Sequence, residues 1–127
     1  MRTSPDPAVV SWLDRQAADA IWITSVTLFE TRFGLALLPR GNRRLGLERA
    51  FEKLVEEDLG NRVLDFDAAA AAAAARLAAD RQRAGRVVDL RDTLIAGIAQ
   101  ARRATIATRS IRHFEEVDVP VVNPWRP

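Results

Sequence analysis

Residues 84–109 read AGRVVDLRDTLIAGIAQARRATIATR, and this stretch decides the fold class. Gly85 is a helix-ending glycine, an apolar helix follows Asp89, and the β-branched run 105–108 predicts a strand after that helix. Asp92 falls in the first turn of the apolar helix, where backbone N–H groups and the helix dipole favour an anion. Asp89 is a possible N-cap. The pattern predicts an α/β domain that presents Asp92 at the edge of its sheet.

Helical and extended patterns alternate along the rest of the chain. Predicted helices begin at Pro7, at Ser25 or Thr27, after Gly41, and at Asp67, which precedes eight consecutive alanines. The predicted strands are 20–24, 63–66, 105–108 and 119–122. This alternation predicts a single domain over residues 1–127, with a parallel sheet flanked by helices on both faces.

Polar residues follow two of these strands. Glu30 comes after the strand 20–24 and Ser110 after the strand 105–108, and ligands of parallel sheets gather at the carboxyl ends of strands. Glu30 also has a structural explanation, because Thr27-x-x-Glu30 fits a capping box. On the same predicted helix, Phe29 and Phe33 share a face with Val26 and Leu37, which favours a core or dimer surface.

Composition limits the chemistry. The 127 residues contain no cysteine and a single histidine, His113, so thiol chemistry and histidine metal clusters are excluded. Any metal would be an oxygen-bound cation such as Mg²⁺ or Mn²⁺. Nineteen Lys and Arg against seventeen Asp and Glu give a formal net charge of +2, which is weak evidence for a nucleic-acid partner. Without a signal peptide or an apolar run of spanning length, we expect a cytoplasmic protein.

Six segments carry a resemblance to a known family. They are PDPAVVSWLD (5–14), SVTLFETRFGLALL (25–38), FDAAAAAAAARLAADRQRAGR (66–86), DTLIAGIA (92–99), ATIATRS (104–110) and VNPW (122–125). In this order and over nearly the whole chain, the sequence resembles PIN-domain proteins of the VapC toxin type, particularly their FitB-like branch.

The resemblance implies a metal-dependent endoribonuclease toxin of a type II toxin-antitoxin system. Its acidic site would use Mg²⁺ or Mn²⁺, with Glu30 and Asp92 at the family's second and third acidic positions and Ser110 beside them. Arg86 and Arg109 would lie near the RNA. The implied partners are a VapB/FitA-type antitoxin, the RNA substrate and a second copy in a homodimer or higher assembly, with DNA bound only through the antitoxin.

Two departures from the family favour an alternative. The family's first, central strand and its catalytic aspartate have no counterpart, so we expect either that Met1 is an internal methionine of a longer frame or that the protein is naturally shortened. Ser110 and His113 stand where the family commonly has acids, and a solvent-facing role for His113 is favoured over phosphate contact. Weak metal binding is therefore expected. The alternative is a degenerate, non-catalytic PIN domain that binds antitoxin or dimerises.

Overall fold

The computed structural model describes residues 6–126, which divide into two compact units. One unit comprises residues 6–17 and 66–126, and the other is Ala18–Asp65. The prediction of a single domain stays a prediction. Met1, on which the expectation of a missing first strand rests, lies outside the described residues, and that expectation also stays a prediction.

The described elements are short strands between longer helices. The helices are α1 (Pro7–Asp14), α2 (Ser25–Ala36), α3 (Asn42–Lys53), α4 (Ala68–Arg83) and α5 (Leu90–Arg102). The strands are β1 (Ile23–Thr24), β2 (Val63–Leu64), β3 (Ile106–Ala107) and β4 (Val121–Val122). Two 3₁₀ helices (Ala18–Ala20 and Ile111–Phe114) and a π-helical turn (Leu54–Asp58) complete the order. No helix among residues 6–126 is both long and apolar enough to span a membrane.

Helices α4 and α5 form the centre of the unit that contains Asp92. They approach closely because small side chains meet: a Cβ on Gly97 would lie 2.6 Å from the Cβ of Ala74 and 2.7 Å from the carbonyl oxygen of Ala70. Asp67 caps α4 by accepting the N–H of Ala70 at 2.9 Å. The core of this unit is Leu77, Ala96, Ala99, Ile106, Phe114 and Val117. The predicted alanine helix, its Asp67 cap and the buried Phe114 are confirmed.

Each unit contains one pair of parallel strands. Strand β3 pairs with β4, with Ile106 opposite Val121, and β1 pairs with β2, with Ile23 opposite Val63. The strands are shorter than predicted, since 20–24 contributes only Ile23 and Thr24 and its Ala20 ends a 3₁₀ helix. The positions of all four strands and their parallel pairing agree with the prediction.

The start of α2 differs from the expectation. Thr24 is the N-cap, and its hydroxyl accepts the N–H of Thr27 at 2.9 Å, so neither Ser25 nor Thr27 caps this helix. The capping box predicted for Thr27 and Glu30 was therefore wrong. A cap at Thr24 puts Glu30 in the second turn, away from the orphan N–H groups.

The aromatic face of α2 is exposed. Val26 and Leu35 are buried, whereas Phe29, Phe33 and Leu37 are exposed. Of the two roles expected for this face, core holds only for Val26, and the dimer surface stays a prediction. The Phe29 and Phe33 rings stack with centroids 5.8 Å apart. The core of this unit instead contains Leu35, Phe51 and Val55, because the packed face of α2 lies toward α3.

Candidate functional site

Asp92 and His113 form a hydrogen-bonded pair at the start of α5. Oδ2 of Asp92 lies 2.6 Å from Nδ1 of His113, and the Asp92 side chain is 24% exposed. Asp89, not Asp92, caps α5, because its carboxylate accepts the N–H of Arg91 at 2.8 Å. Capping therefore does not account for Asp92. Its carboxylate sits in the first turn of the helix.

His113 belongs to a short, anchored turn. It lies in the 3₁₀ helix Ile111–Phe114, next to the buried Phe114, and its N–H donates to the carbonyl oxygen of Ser110 at 3.0 Å. Its side chain is about half exposed, as expected for a solvent-facing histidine, but it also contacts Asp92. A histidine in this position orients the carboxylate through one oxygen.

A buried arginine, Arg81, supports this turn from α4. Its side chain is 4% exposed. Nη1 donates to the hydroxyl of Thr93 at 2.6 Å, Nη2 donates to the carbonyl oxygen of His113, and Nε donates to the carboxylate of Glu116. Arg81 thus connects Thr93, the residue after Asp92, to the backbone of His113, whose side chain contacts Asp92. Sequence reasoning missed this role.

Glu116 forms ion pairs with two arginines. Besides Arg81, it accepts Nη1 of Arg86 at 2.5 Å. Burial acts to raise the pKa of the Glu116 carboxyl, but the hydrogen bond from Arg81 and the charges of Arg81 and Arg86 outweigh it, so that the pKa lies below 4.5. Glu116 is therefore a carboxylate at neutral pH.

Arg86 is engaged by the protein in two places. In addition to Glu116, its Nη2 donates to the carbonyl oxygen of Arg112 at 3.1 Å. A guanidinium has five N–H donors, so two such contacts leave some for a ligand. RNA contact by Arg86 stays a prediction, and its described contacts hold the 111–116 segment.

Ser110 and Arg109 follow β3, as predicted. Ser110 is exposed, and its N–H donates to Oγ1 of Thr108 at 3.0 Å in a short turn. The guanidinium carbon of Arg109 lies 4.6 Å from the centroid of the Trp125 ring. Their roles with substrate stay predictions.

Glu30 is partly buried on α2 and belongs to the other compact unit. That Glu30 and Asp92 act in one site stays a prediction. What the structure adds is that Glu30 has no capping role, which removes one explanation for a carboxylate at this position.

The residues present do not make a complete metal centre. Among residues 6–126, no group of three or more His, Asp or Glu side chains is arranged to hold a metal ion. A carboxylate such as Asp92 suits a hard cation chemically, but magnesium needs near-octahedral coordination. The donor set of the described residues does not fit a tightly bound metal.

The comparisons with known proteins define the class of protein. The model of the PIN domain family matches residues 1–120, and the chain belongs to this family. It is 36% identical over 126 residues to VapC ribonuclease Y4jK of Sinorhizobium fredii, an alignment that covers 99% of this chain and 90% of the relative. It is 32% identical over 125 residues to toxin FitB of Neisseria gonorrhoeae, covering 98% of this chain and 90% of the relative.

A solved structure agrees with these relatives. The crystal structure of FitAcB from Neisseria gonorrhoeae superposes with a TM-score of 0.81 and 30% identity, covering 99% of this chain and 91% of that chain. The predicted PIN-like α/β fold and the resemblance to VapC and FitB toxins are confirmed.

Proposed function

We propose that this chain is the toxin of a type II toxin-antitoxin system and that it hydrolyses RNA phosphodiesters as an endoribonuclease. The observation that carries the proposal is the similarity to a protein named as a VapC ribonuclease over 99% of this chain. The similarity to a protein named as toxin FitB over 98% of the chain supports the same class. Action in the cytoplasm, where RNA is found, is part of the proposal.

The proposal assigns Asp92 as the central acid, Glu30 as a second acid and Ser110 as a further residue of the catalytic machinery. His113 holds one oxygen of Asp92 and leaves the other for a ligand. Dependence on Mg²⁺ or Mn²⁺ belongs to the proposal, because such cations activate water and neutralise phosphate charge in nucleases. With fewer than three described ligands in one place, we expect weak cation binding and slow cleavage.

Binding partners follow from the same class. We propose that a VapB/FitA-type antitoxin binds this chain and that DNA is bound only through that antitoxin. The neighbouring structure is named as a FitAcB crystal structure, which supports a partner of this kind. A homodimer is proposed as well, with the exposed Phe29 and Phe33 available for it.

A second candidate function has one observation in its favour. The incomplete ligand set among residues 6–126 fits a non-catalytic PIN domain that binds antitoxin or dimerises. In that case an arginine of the partner would pair with Asp92, since charge-assisted contacts of this type are strong.

The deciding experiment measures cleavage of single-stranded RNA by the purified chain with Mg²⁺, with Mn²⁺ and with a chelator. We expect slow, chelator-sensitive cleavage. Asp92→Asn should lower the rate about 100-fold or more, because even outer-shell changes at metal sites cost 10–100-fold. Asp80→Asn is the matched control, since Asp80 is an exposed acid on α4 paired with Arg83.

The outcomes separate the two candidates. If Asp92→Asn cleaves as fast as the parent, the proposed site is wrong. If the parent shows no cleavage with either cation but binds a cognate antitoxin, the non-catalytic function replaces the nuclease.

A further inference from the structure

A polar cavity of about 520 Å³ lies next to the end of β3. This volume is within the range of about 300–1,000 Å³ found for small-ligand pockets. The cavity is lined by Asp6, Arg109, Asn123, Trp125 and Arg126. None of these residues except Arg109 entered the sequence-based site.

The cavity has the position of a ligand site in a parallel sheet. Ala107 of β3 pairs with Val122 of β4, and the N–H of Thr108 donates to the carbonyl oxygen of Val122 at 2.9 Å. Arg109 and Asn123 therefore lie just after the carboxyl ends of β3 and β4. Ligands of open parallel sheets bind outside these ends.

Hydrogen bonds fix the backbone at Trp125, whose indole ring lines the cavity. The backbone N–H of Trp125 donates to Oδ1 of Asn123 at 2.9 Å, and the backbone N–H of Arg126 donates to the carbonyl oxygen of Asn123 at 3.0 Å. The guanidinium of Arg109 lies over the ring in a cation–π contact, with its central carbon 4.6 Å from the ring centroid. An indole in contact with a guanidinium is the kind of surface on which an unpaired base stacks.

Charge in the cavity favours an anion beside that base. Arg109 and Arg126 bring two cations, whereas Asp6 brings one carboxylate that already accepts the N–H of Ala8 at 2.8 Å. Protein grooves that bind single-stranded nucleic acid use planar guanidinium groups for stacking and positive charge to attract phosphates.

The cavity is also close in sequence to the candidate catalytic acid. His113 lies four positions after Arg109, and an extended chain over four such steps spans at most about 14 Å between Cα atoms. The 3₁₀ helix Ile111–Phe114 shortens this span further, and His113 contacts Asp92 directly. Only a short length of RNA would thus separate a nucleotide bound in the cavity from Asp92.

We propose that this cavity is a nucleotide subsite for single-stranded RNA, in which a base stacks on the Arg109–Trp125 pair and Arg109 or Arg126 contacts the adjoining phosphate. The proposal rests on the proposed ribonuclease function, since it names where the substrate strand is held. It adds a base-stacking element to a site otherwise described by its acids.

The test measures RNA binding under conditions that suppress metal-dependent cleavage. Fluorescence anisotropy of a fluorescein-labelled, mixed-sequence single-stranded 12-nucleotide RNA gives the Kd in the presence of a chelator, and a duplex of the same sequence is titrated beside it. Trp125→Leu should weaken single-strand binding about 5-fold or more, because one base–aromatic stack is lost. Trp125→Phe, which keeps a ring, should stay within about 3-fold of the parent.

Two further variants distinguish a specific loss of RNA binding from a loss of folding. Arg109→Met alters an exposed side chain and should weaken single-strand binding about 5-fold or more, whereas Trp22→Leu removes an exposed indole of the other unit and should leave the Kd unchanged. Far-ultraviolet circular dichroism and thermal melting establish that each variant is folded.

Each result has a definite meaning. Equal Kd values for the parent, Trp125→Leu and Arg109→Met overturn the subsite, as does a parent that does not bind the RNA. Losses that appear only in binding of an antitoxin overturn it in favour of a protein-binding role. Weakened RNA binding in a chain that never cleaves RNA supports the subsite and contradicts only the nuclease activity.

Discussion

At the scale of single residues, the Arg81–Glu116 contact predicts how stability depends on pH. The pKa of Glu116 is lowered in the folded chain, so the stabilisation it gives is present above the unfolded pKa near 4.5 and is lost as the pH falls through the lower folded pKa. Glu116→Gln leaves the buried Arg81 without its carboxylate. Because Glu116 is about one-third exposed, we expect a loss of about 2 kcal/mol, less than for a fully buried pair.

The measurement is urea unfolding of the parent and Glu116→Gln at pH 7 and at several values below 4.5. The difference in free energy of unfolding should be largest at pH 7 and shrink at acid pH. Glu115→Gln, which changes the exposed neighbouring acid, is the control and should differ little from the parent at any pH. A difference that stays constant with pH would contradict the ionic role of Glu116.

Contacts between residues that are close in the sequence were predictable, whereas contacts between residues far apart in the sequence were not. The Asp67 and Asp89 caps follow from short-range rules, since each carboxylate accepts an N–H two or three residues ahead. Arg81 meets Thr93, His113 and Glu116 across 12, 32 and 35 residues of chain. No spacing rule connects such positions, and Arg81 resembles any other arginine of an exposed helix in the sequence.

At the scale of elements, the contact between α4 and α5 predicts the effect of adding one methyl group. Gly97→Ala should improve helix propensity by up to about 1 kcal/mol. The new Cβ, however, would lie 2.6–2.8 Å from atoms of Ala70 and Ala74, two of them backbone atoms. Overpacking of this kind costs about 1–3 kcal/mol or more, so we expect a net loss of stability of about 1–2 kcal/mol.

Gly46→Ala provides a matched control on α3. A Cβ at Gly46 meets nothing within 4 Å, so the same substitution should stabilise the chain by about 0.5–1 kcal/mol. Both changes are measured by urea unfolding monitored by circular dichroism. If Gly97→Ala were as stable as Gly46→Ala, the close approach of α4 and α5 would be wrong.

The elements themselves were predicted well where their signals are local. The alanine-rich helix, the helix after Asp89 and the parallel strand pairs all appear at the predicted positions. The cap of α2 was misplaced because Thr24, Ser25 and Thr27 are all competent caps, and the choice depends on where β1 ends. For the face of Phe29 and Phe33 the sequence left core and dimer surface open, since helical spacing identifies an apolar face but not what covers it.

At the scale of the whole molecule, the small net charge predicts a weak salt dependence of RNA binding. A formal charge of +2 provides little long-range attraction, so phosphate contacts must come from particular arginines such as Arg109 and Arg126. Each neutralised phosphate of a single strand contributes about −0.7 to the slope of log K against log[salt], and two contacts give a slope of about −1.4. Affinity should then fall only about 7-fold between 50 and 200 mM salt.

Anisotropy titrations over that salt range measure the slope for the parent and for two variants. Arg126→Met should reduce the slope to about −0.7, because one of the two phosphate contacts is lost. Arg49→Met, which removes an exposed cation on α3 in the other unit, should lower the net charge equally and leave the slope near its parent value. A parent slope steeper than about −4, or equal effects of the two substitutions, would mean that RNA is held by a broad basic surface, because only then does total charge matter more than position.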